Sequence, residues 1–368
     1  MTNKKIAFYS PLKPADHATP SGDRLMARLL IDCMTYSGYE VDVASRLRVF
    51  VKEPSNSSSV DDSKSQAQAE IERLNELWQK QSPPALWFCY HPYYKSPDLI
   101  GPELCKRFNI PYVTAESSYS QRRAHGEWAS LQQLVLTAIK NAAVNICFTE
   151  RDKTGLRQAL PSAKLATLAP FIDAKSFSQP VNNPAVPRLV TVAMMRAGDK
   201  MNSYIHLSTA LKQLLHKPWS LSVVGDGPMR AEVEALFSTF PVERIEWHGR
   251  QARADIAKLF ARSSVYVWPG CAEAYGLAYL EAQAAGLPVV AFNNAGVPEV
   301  VDAGYSGILT PMDDDKAFAQ AIEKLLDDKQ ECLRLSRQAR SHVHDKHDIA
   351  QACQTLNSIL HDYAGLTS

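Results

Sequence analysis

Short apolar segments and longer segments of helical periodicity alternate along the whole chain. In the first half, runs of β-branched and aromatic residues predict strands at 5–10, 40–45, 85–90, 111–115 and 144–149. The segments between them predict helices at 22–37, 62–80, 97–108 and 127–141. Strands that alternate with helices are typical of parallel sheets with right-handed crossovers. The first half is therefore predicted to be a Rossmann-like, doubly wound α/β domain.

The second half repeats this alternation. Its strands are predicted at 188–194, 219–225, 244–249, 265–270, 287–292 and 307–311. Its helices are predicted near 203–216, 228–239, 252–262, 275–285 and 314–327, and the last forty residues are helical in pattern. This alternation predicts a second Rossmann-like domain. Two such sheets place their ligand at the carboxyl ends of the strands, so the ligand is expected in a cleft between the domains.

Two polar segments interrupt the pattern. Residues 170–188 contain four prolines and two asparagines, which predicts a linker and gives domains of 1–172 and 173–345. Residues 53–68 are rich in serine and are expected to form a mobile surface loop inside the first domain.

Composition narrows the class of protein. With 368 residues, 45% hydrophobic and 21% charged, the chain is typical of a soluble protein of two domains. A net charge of +1 gives no bulk attraction to nucleic acid, and the apolar runs are too short to cross a bilayer. The first residues lead directly into a strand, and the seven scattered cysteines form no C-x-x-C pair. This predicts reduced thiols and a cytoplasmic location.

The segment 268–301 carries the most chemical information. Glu273 stands in a predicted loop, Gly276 follows it, and Glu281 lies eight residues beyond Glu273 in a predicted helix before an apolar strand. Carboxylates accept hydrogen bonds from sugar or ribose hydroxyls, and the open N–H groups of a helix N-terminus favour phosphate. The pattern predicts a site for a nucleotide sugar.

These motifs also resemble a known family. E-x7-E followed by E-A-x-A-x-G-x-P-V-V is similar to the signature of the retaining family-four glycosyltransferases, which adopt the GT-B fold. Segments at 223–236, 248–250 and 304–314 extend the likeness, which is strong over about 188–345 and weak before it. The resemblance implies two Rossmann-like domains that face each other across a cleft. It also implies that a C-terminal helix at 346–368 packs back on the first domain.

The resemblance implies roles for several residues of the second domain. Glu281 would bind the ribose, and Glu273 would contact hydroxyls of the transferred sugar. The remaining donor contacts are expected from the backbone of four consecutive residues and from one glycine of the HGR segment: Ala274, Tyr275, Gly276, Leu277 and Gly249.

Positive charge and a further glycine complete the predicted donor site. Arg196 and Lys200 are expected in the loop after the first strand of the second domain, where they would neutralise the departing diphosphate. The family commonly spaces this pair by five residues, whereas the interval here is four. Gly22, just ahead of the first helix, lets the loop backbone approach the phosphates, although it could equally be a turn residue.

The acceptor side departs from the family. Glu116 stands where many members have a histidine that meets the transferred sugar, and it could act as a proton or hydroxyl acceptor or as a helix cap. His91 follows another strand and is a candidate acceptor contact, with packing as the alternative. Arg122 and Arg123 could bind an anionic acceptor or stand in a solvated loop.

The resemblance implies a retaining, metal-independent hexosyltransferase of cell-envelope glycan, lipopolysaccharide or glycolipid synthesis. Its donor would be a UDP-, GDP- or ADP-sugar, which the sequence does not distinguish, and its acceptor a glycan or a lipid-linked glycan. No resident cofactor, no metal and no nucleic-acid partner are expected. Peripheral contact with the inner face of the membrane is expected. A nucleotide-sugar epimerase, a phosphorylase and a non-enzymatic nucleotide-sugar-binding protein remain alternatives.

Overall fold

The chain divides into two compact units. The structure is a computed structural model that describes residues 4–19, 21–53, 57–179 and 186–366. Unit 1 comprises Met1–Ala169 and Ala350–Ser368, and unit 2 comprises Pro170–Ile349. The sequence-based division at 172/173 lies close to this one, and the chain returns to unit 1 near its end. Part of the proline-rich segment, 180–185, lies outside the described residues.

Unit 1 contains one parallel sheet of six strands in the order β2-β1-β3-β4-β5-β6. The strands are β1 Lys5–Tyr9, β2 Glu40–Val43, β3 Leu86–Tyr90, β4 Tyr112–Ala115, β5 Val144–Cys147 and β6 Leu165–Thr167. The helices are α1 Gly22–Tyr36, α2 Ser57–Lys80, α3 Gly101–Phe108, α4 Ala129–Asn141 and α5 Glu150–Ala159, joined later by α12 Ile349–Ala364. All five residues of β3 are buried, as expected for a central strand covered on both faces.

Unit 2 contains a second parallel sheet of six strands in the order β12-β11-β10-β7-β8-β9. The strands are β7 Arg188–Val192, β8 Ser220–Val224, β9 Ile245–Gly249, β10 Val265–Val267, β11 Val289–Phe292 and β12 Gly307–Thr310. The helices are α6 Asp199–Lys212, α7 Arg230–Leu236, α8 Arg253–Ala261, α9 Leu277–Ala284, α10 Asp315–Asp327 and α11 Lys329–Lys346. Within the described residues, no helix is long and apolar enough to cross a membrane.

The expected surface loop at 53–68 is wrong for residues 57–68, which belong to α2; residues 54–56 lie outside the described residues. The helix begins five residues before the predicted start at 62. Its apolar face explains why it forms. Ala67, Ile71 and Trp78 are spaced by whole helical turns and are buried in the core of unit 1.

Two elements of unit 1 were not predicted. Strand β6 has only three residues at the edge of the sheet, and none of them is buried, so it shows no apolar run. Helix α5 buries Leu156 alone among its ten residues, and its start depends on the Thr149 hydroxyl, which accepts from the Asp152 N–H at 3.1 Å. Elements with so little buried surface leave no periodic apolar pattern in the sequence.

The prediction of reduced thiols is wrong for one pair. Cys33 in α1 and Cys353 in α12 form a disulfide across 320 positions of sequence. The Tyr39 hydroxyl also donates to Asn357 Oδ1 at 2.9 Å, so α12 is linked to the beginning of unit 1 at two points. Cysteine spacing could not reveal this pair, because the return of the last helix brings the two residues together.

Candidate functional site

The loop between β10 and α9 holds the first predicted acid in a backbone that requires glycine. Gly276 is the N-cap residue of α9 with φ +82°, and a Cβ at this position would lie 2.6 Å from Tyr279 Cδ2. Ala272, with φ +52°, is also left-handed, and the Glu273 N–H donates to Gly270 O at 3.3 Å. The loop therefore brings the Ala274–Leu277 backbone to the N-terminus of a helix, where unpaired N–H groups favour an anion.

Glu273 and Lys200, predicted independently, are brought together. Lys200 Nζ pairs with Glu273 Oε1, and Trp268 Nε1 donates to the same oxygen at 3.1 Å. Lys200 was expected in a loop, but it lies in the first turn of α6, which begins four residues earlier than predicted because Gly198, at φ +80°, caps it. The ammonium also lies 5.7 Å from the centre of the Trp268 ring. The carboxylate is thus oriented by two donors before any ligand binds.

Arg196 is not part of this pair. Its residue is exposed in the loop between β7 and α6, and it forms no hydrogen bond or ion pair with the residues that the structure describes. A free guanidinium beside the Lys200 helix is available to a ligand, but the protein alone does not orient it.

Glu281 lies in the middle of α9, as predicted, and is 7% exposed. Its carboxylate accepts from Arg253 Nε at 3.1 Å, and the same guanidinium lies 4.9 Å from the Phe177 ring. Burial raises the pKa of Glu281, and the charge of Arg253 opposes that rise. Arg253 was missed by sequence reasoning, because an arginine at the start of an ordinary helix carries no signal of a buried partner.

Gly296 is a second residue that sequence reasoning missed, although it lies within the segment 268–301. A Cβ on Gly296 would lie 1.4 Å from Ala274 O, and the Gly296 N–H donates to Glu273 O at 3.1 Å. The turn after β11 is therefore in backbone contact with the loop that carries Glu273. The only sequence signal for this contact was the presence of a glycine after the predicted strand 287–292, where no turn had been predicted.

The other two predicted glycines, Gly249 and Gly22, differ in whether the fold requires glycine at their positions. Gly249 ends β9 at φ +62°, and its carbonyl accepts from the Gly225 N–H at 2.9 Å. A Cβ on Gly225 would lie 1.8 Å from Ala193 O, so the backbones after β7, β8 and β9 are in close contact. Gly22 is the first residue of α1, and a Cβ there would meet open space. The described residues therefore place no steric requirement for glycine at position 22.

In unit 1, His91 and Glu116 occupy the carboxyl ends of adjacent strands β3 and β4. The His91 N–H donates to Ala115 O and the Glu116 N–H to Ile146 O, each at 2.8 Å. Both residues have left-handed backbones, with φ +60° and +58°, which is uncommon for residues other than glycine and occurs at functional sites. Glu116 is 7% exposed and precedes no helix, so it is not the helix cap considered as an alternative.

Asp23, next to Gly22 in α1, completes this cluster. Its Oδ1 lies 3.1 Å from His91 Nδ1. Burial disfavours the charged imidazole, but the Glu116 and Asp23 carboxylates outweigh burial and raise the pKa of His91 to about 9. Burial also raises the pKa of Glu116, whereas the bond to His91 holds the pKa of Asp23 below its usual value. The cluster pairs the His91 imidazole with the Asp23 carboxylate, and Glu116 lies at the end of the neighbouring strand.

This pairing predicts a pH-dependent contribution of His91 to stability. The folded pKa of about 9 exceeds the ordinary value of 6.5, so the contribution is complete below pH 6.5 and is lost as the pH rises through 9. We expect the melting temperature of the native protein to exceed that of His91→Gln by the largest amount near pH 6 and by little near pH 10. The exposed His125, replaced in the same way, is the control. A difference that stays constant across this range would contradict the pairing.

Arg122 and Arg123 lie in a short 3-10 turn at Gln121–Arg123 rather than in an irregular loop. Arg122 is exposed, whereas the Arg123 guanidinium lies 5.4 Å from the Tyr94 ring centre and 5.8 Å from that of Trp128. The structure brings Arg123 to the segment that follows His91. The Arg123 N–H donates to Ser120 O at 2.9 Å, but neither arginine side chain forms a hydrogen bond or an ion pair with the described residues.

Comparison with known families finds a match in the second unit. Residues 180–342 match the family model of Glycosyl transferases group 1. The match lies within unit 2 and covers less than half of the chain. Among curated proteins, the chain is 29% identical over 206 residues to the "Putative colanic acid biosynthesis glycosyltransferase WcaL" of Escherichia coli K12, which covers 53% of this chain and 50% of WcaL. The chain thus spans about half the length of this relative.

Solved structures match over nearly the whole chain. The sucrose-phosphate synthase of Thermosynechococcus elongatus has a TM-score of 0.79 at 19% identity, with 98% of each chain covered. HepE of Anabaena in complex with UDP has a TM-score of 0.70 at 15% identity, with 97% of this chain and 100% of that chain covered. At such identities the likeness shows the fold. The predicted GT-B fold, with two Rossmann-like parallel-sheet domains, is confirmed.

Proposed function

We propose that this protein is a retaining glycosyltransferase that transfers a sugar from a nucleotide-sugar donor to a hydroxyl of a cell-envelope glycan or glycolipid. The observation that carries the proposal is the pairing of Lys200 with Glu273 at the N-terminus of the helix that buries Glu281. Cation, loop acid, helix N-terminus and buried acid together suit a sugar diphosphate joined to a ribose. The group 1 match of the same residues supports this assignment.

In this proposal unit 2 binds the donor. Glu281, held by Arg253, accepts hydrogen bonds from the ribose hydroxyls, and the Ala274–Leu277 backbone faces the phosphates or the sugar. Lys200 and the free Arg196 neutralise the diphosphate, and Glu273 accepts from the sugar hydroxyls. HepE has been solved with UDP and with UDP-glucose, which makes uridine nucleotides the first donors to test, before GDP- and ADP-sugars.

The reaction needs positioning and charge stabilisation from the protein rather than a covalent intermediate. The acceptor oxygen bonds to the anomeric carbon on the face from which the bond to phosphate breaks, and the departing nucleoside diphosphate takes the acceptor proton. Positive charge at the diphosphate stabilises the charge that develops there. We propose that Glu116 and His91 in unit 1 contact the acceptor, and that neither a metal nor a resident cofactor takes part. A location at the inner face of the membrane stays a prediction.

The donor assignment predicts that Glu281→Ala weakens nucleotide binding by about tenfold or more, because a hydrogen bond to a charged group contributes about 1.5–3 kcal/mol. Isothermal titration with UDP, GDP, ADP and their sugars measures this, with and without a chelator. Glu232→Ala, which removes an exposed acid of α7, is the matched control. Equal affinity of native protein and Glu281→Ala would remove the ribose assignment.

Activity assays with the same ligands distinguish a glycosyltransferase from a phosphorylase and from a binding protein. Transfer to an acceptor in the presence of a chelator supports the proposal, and loss of transfer with the chelator contradicts metal independence. Release of nucleoside diphosphate that requires inorganic phosphate and no acceptor would indicate a phosphorylase. Binding of the donor without turnover under any acceptor would indicate a binding protein.

A further inference from the structure

Three segments that follow strands β2, β3 and β4 of unit 1 are joined beyond the carboxyl ends of these strands. The Val51 N–H donates to Lys95 O at 2.8 Å, and the Ser96 hydroxyl donates to Val49 O at 2.6 Å. Val51 also packs with Trp128 and Leu131. These bonds bring the residues after β2, after β3 and after β4 into one surface, although they are up to eighty positions apart in sequence.

This surface carries five cations, and we refer to it as the basic surface: Arg48, Lys52, Lys95, Arg122 and Arg123. Within the described residues none of the five forms an ion pair, whereas their neighbour Arg46 is neutralised by Asp16. Lys95 Nζ lies 5.5 Å from the centre of the Trp128 ring, and the Arg48 guanidinium lies 5.2 Å from that of Phe50. Aromatic rings lie near these two cations and Arg48 Nε donates to Leu12 O at 3.1 Å, but no carboxylate of the described residues pairs with either cation.

We propose that the basic surface binds an acidic glycan, one that carries carboxylate or phosphate groups, as the acceptor of the transfer reaction. That the bound glycan is the acceptor rests on the proposed function. The binding of an acidic glycan to this surface does not depend on it. Five cations without an ion-pair partner among the described residues, carried by segments that are bonded to one another, attract a polyanion, and arginine forms paired hydrogen bonds to carboxylate and phosphate oxygens. The surface is continuous with the strand end at His91, because the Tyr93 ring lies 5.3 Å from the His91 ring.

The character of the aromatic residues favours a glycan over a membrane. Helices and loops that enter a bilayer interface present large apolar side chains beside their cations. Here Trp128 is 9% exposed and lies beneath Lys95 and Arg123. Among the described residues of this surface, only Phe50 is a large apolar side chain more than a third exposed. The cations face outward, and the apolar area available for insertion is small.

The test compares the binding of oligosaccharides of similar length to the full chain. We expect tetragalacturonate, phosphorylated mannopentaose or both to bind, with affinity that falls as salt rises, and neutral maltotetraose to bind far more weakly. The two anionic probes separate carboxylate from phosphate recognition. In the triple variant Arg48→Gln, Lys95→Gln, Arg123→Gln, the affinity for the anionic probe is expected to fall at least about tenfold, because three charge-assisted contacts are lost.

The matched control removes the same charge elsewhere. Lys80→Gln, Lys106→Gln, Lys140→Gln replaces three exposed lysines of unit 1 that lie outside the basic surface, and it should bind the probes as the native protein does. Equal loss in both triple variants, or no binding of either anionic probe by the native protein, overturns the proposal. Sedimentation with phosphatidylglycerol vesicles that the basic-surface variant abolishes, with no binding of either glycan, would assign the surface to a membrane instead. UDP binding by unit 2 is measured in parallel, so failure of the donor assignment is seen separately.

Discussion

Lys200→Ala is expected to lower the rate of sugar transfer by about 10²–10³-fold, the range found when one donor to a developing negative charge is removed. Lys200 is proposed to stabilise the diphosphate as the glycosidic bond breaks, and its ammonium also orients Glu273 Oε1. The substitution therefore removes a cation and loosens the acid proposed to contact the sugar. Because Trp268 still donates to Glu273, the loop itself should be retained.

The measurement is a comparison of kcat with the affinity for the nucleoside diphosphate. We expect the loss in kcat to exceed the loss in affinity, because the charge to be stabilised is greatest in the transition state. Lys212→Ala, at the exposed C-terminal end of the same helix α6, is the control and should leave both quantities unchanged. A Lys200→Ala protein that keeps its native kcat would exclude the proposed role of this cation.

Gly296→Ala is expected to abolish measurable donor binding and to lower the melting temperature by several degrees. The new methyl group would occupy the position of the Ala274 carbonyl, which lies 1.4 Å from it, so one of the two backbone segments must move. Overpacking of this kind costs about 1–3 kcal/mol, and more when neither neighbour can yield. The segment that moves carries Glu273 and the backbone that faces the donor.

Calorimetry and UDP titration of the variant measure the two effects. Gly155→Ala in α5 is the matched control, since a Cβ there meets nothing within 4 Å; its melting temperature should be equal or slightly higher. Native affinity for UDP in a folded Gly296→Ala protein would show that the loop tolerates the displacement, and that Glu273 is not held by this contact.

Most of the fold could be predicted because buried faces leave periodic apolar patterns. Eleven of the twelve strands were predicted from β-branched, aromatic or apolar segments, and their predicted and observed ranges agree within a few residues. Elements with little buried surface could not be predicted in this way. The edge strand β6, helix α5 and the serine-rich start of α2 were missed or mistaken: in the described part of the chain β6 pairs only with β5, and α5 depends on the Thr149 cap and buries a single residue.

For the candidate site, the sequence by itself determined the chemistry that is local in the chain. Glu273, Gly276 and Glu281 stand within nine residues, so their order along a loop and a helix follows from the sequence. Only the tertiary structure decided the partners: Lys200 for Glu273, Arg253 for Glu281, Asp23 for His91, and Cys33 for Cys353. Each partner lies 28 or more positions away, and the crossover connections of parallel sheets bring together residues whose separation leaves no mark on either segment.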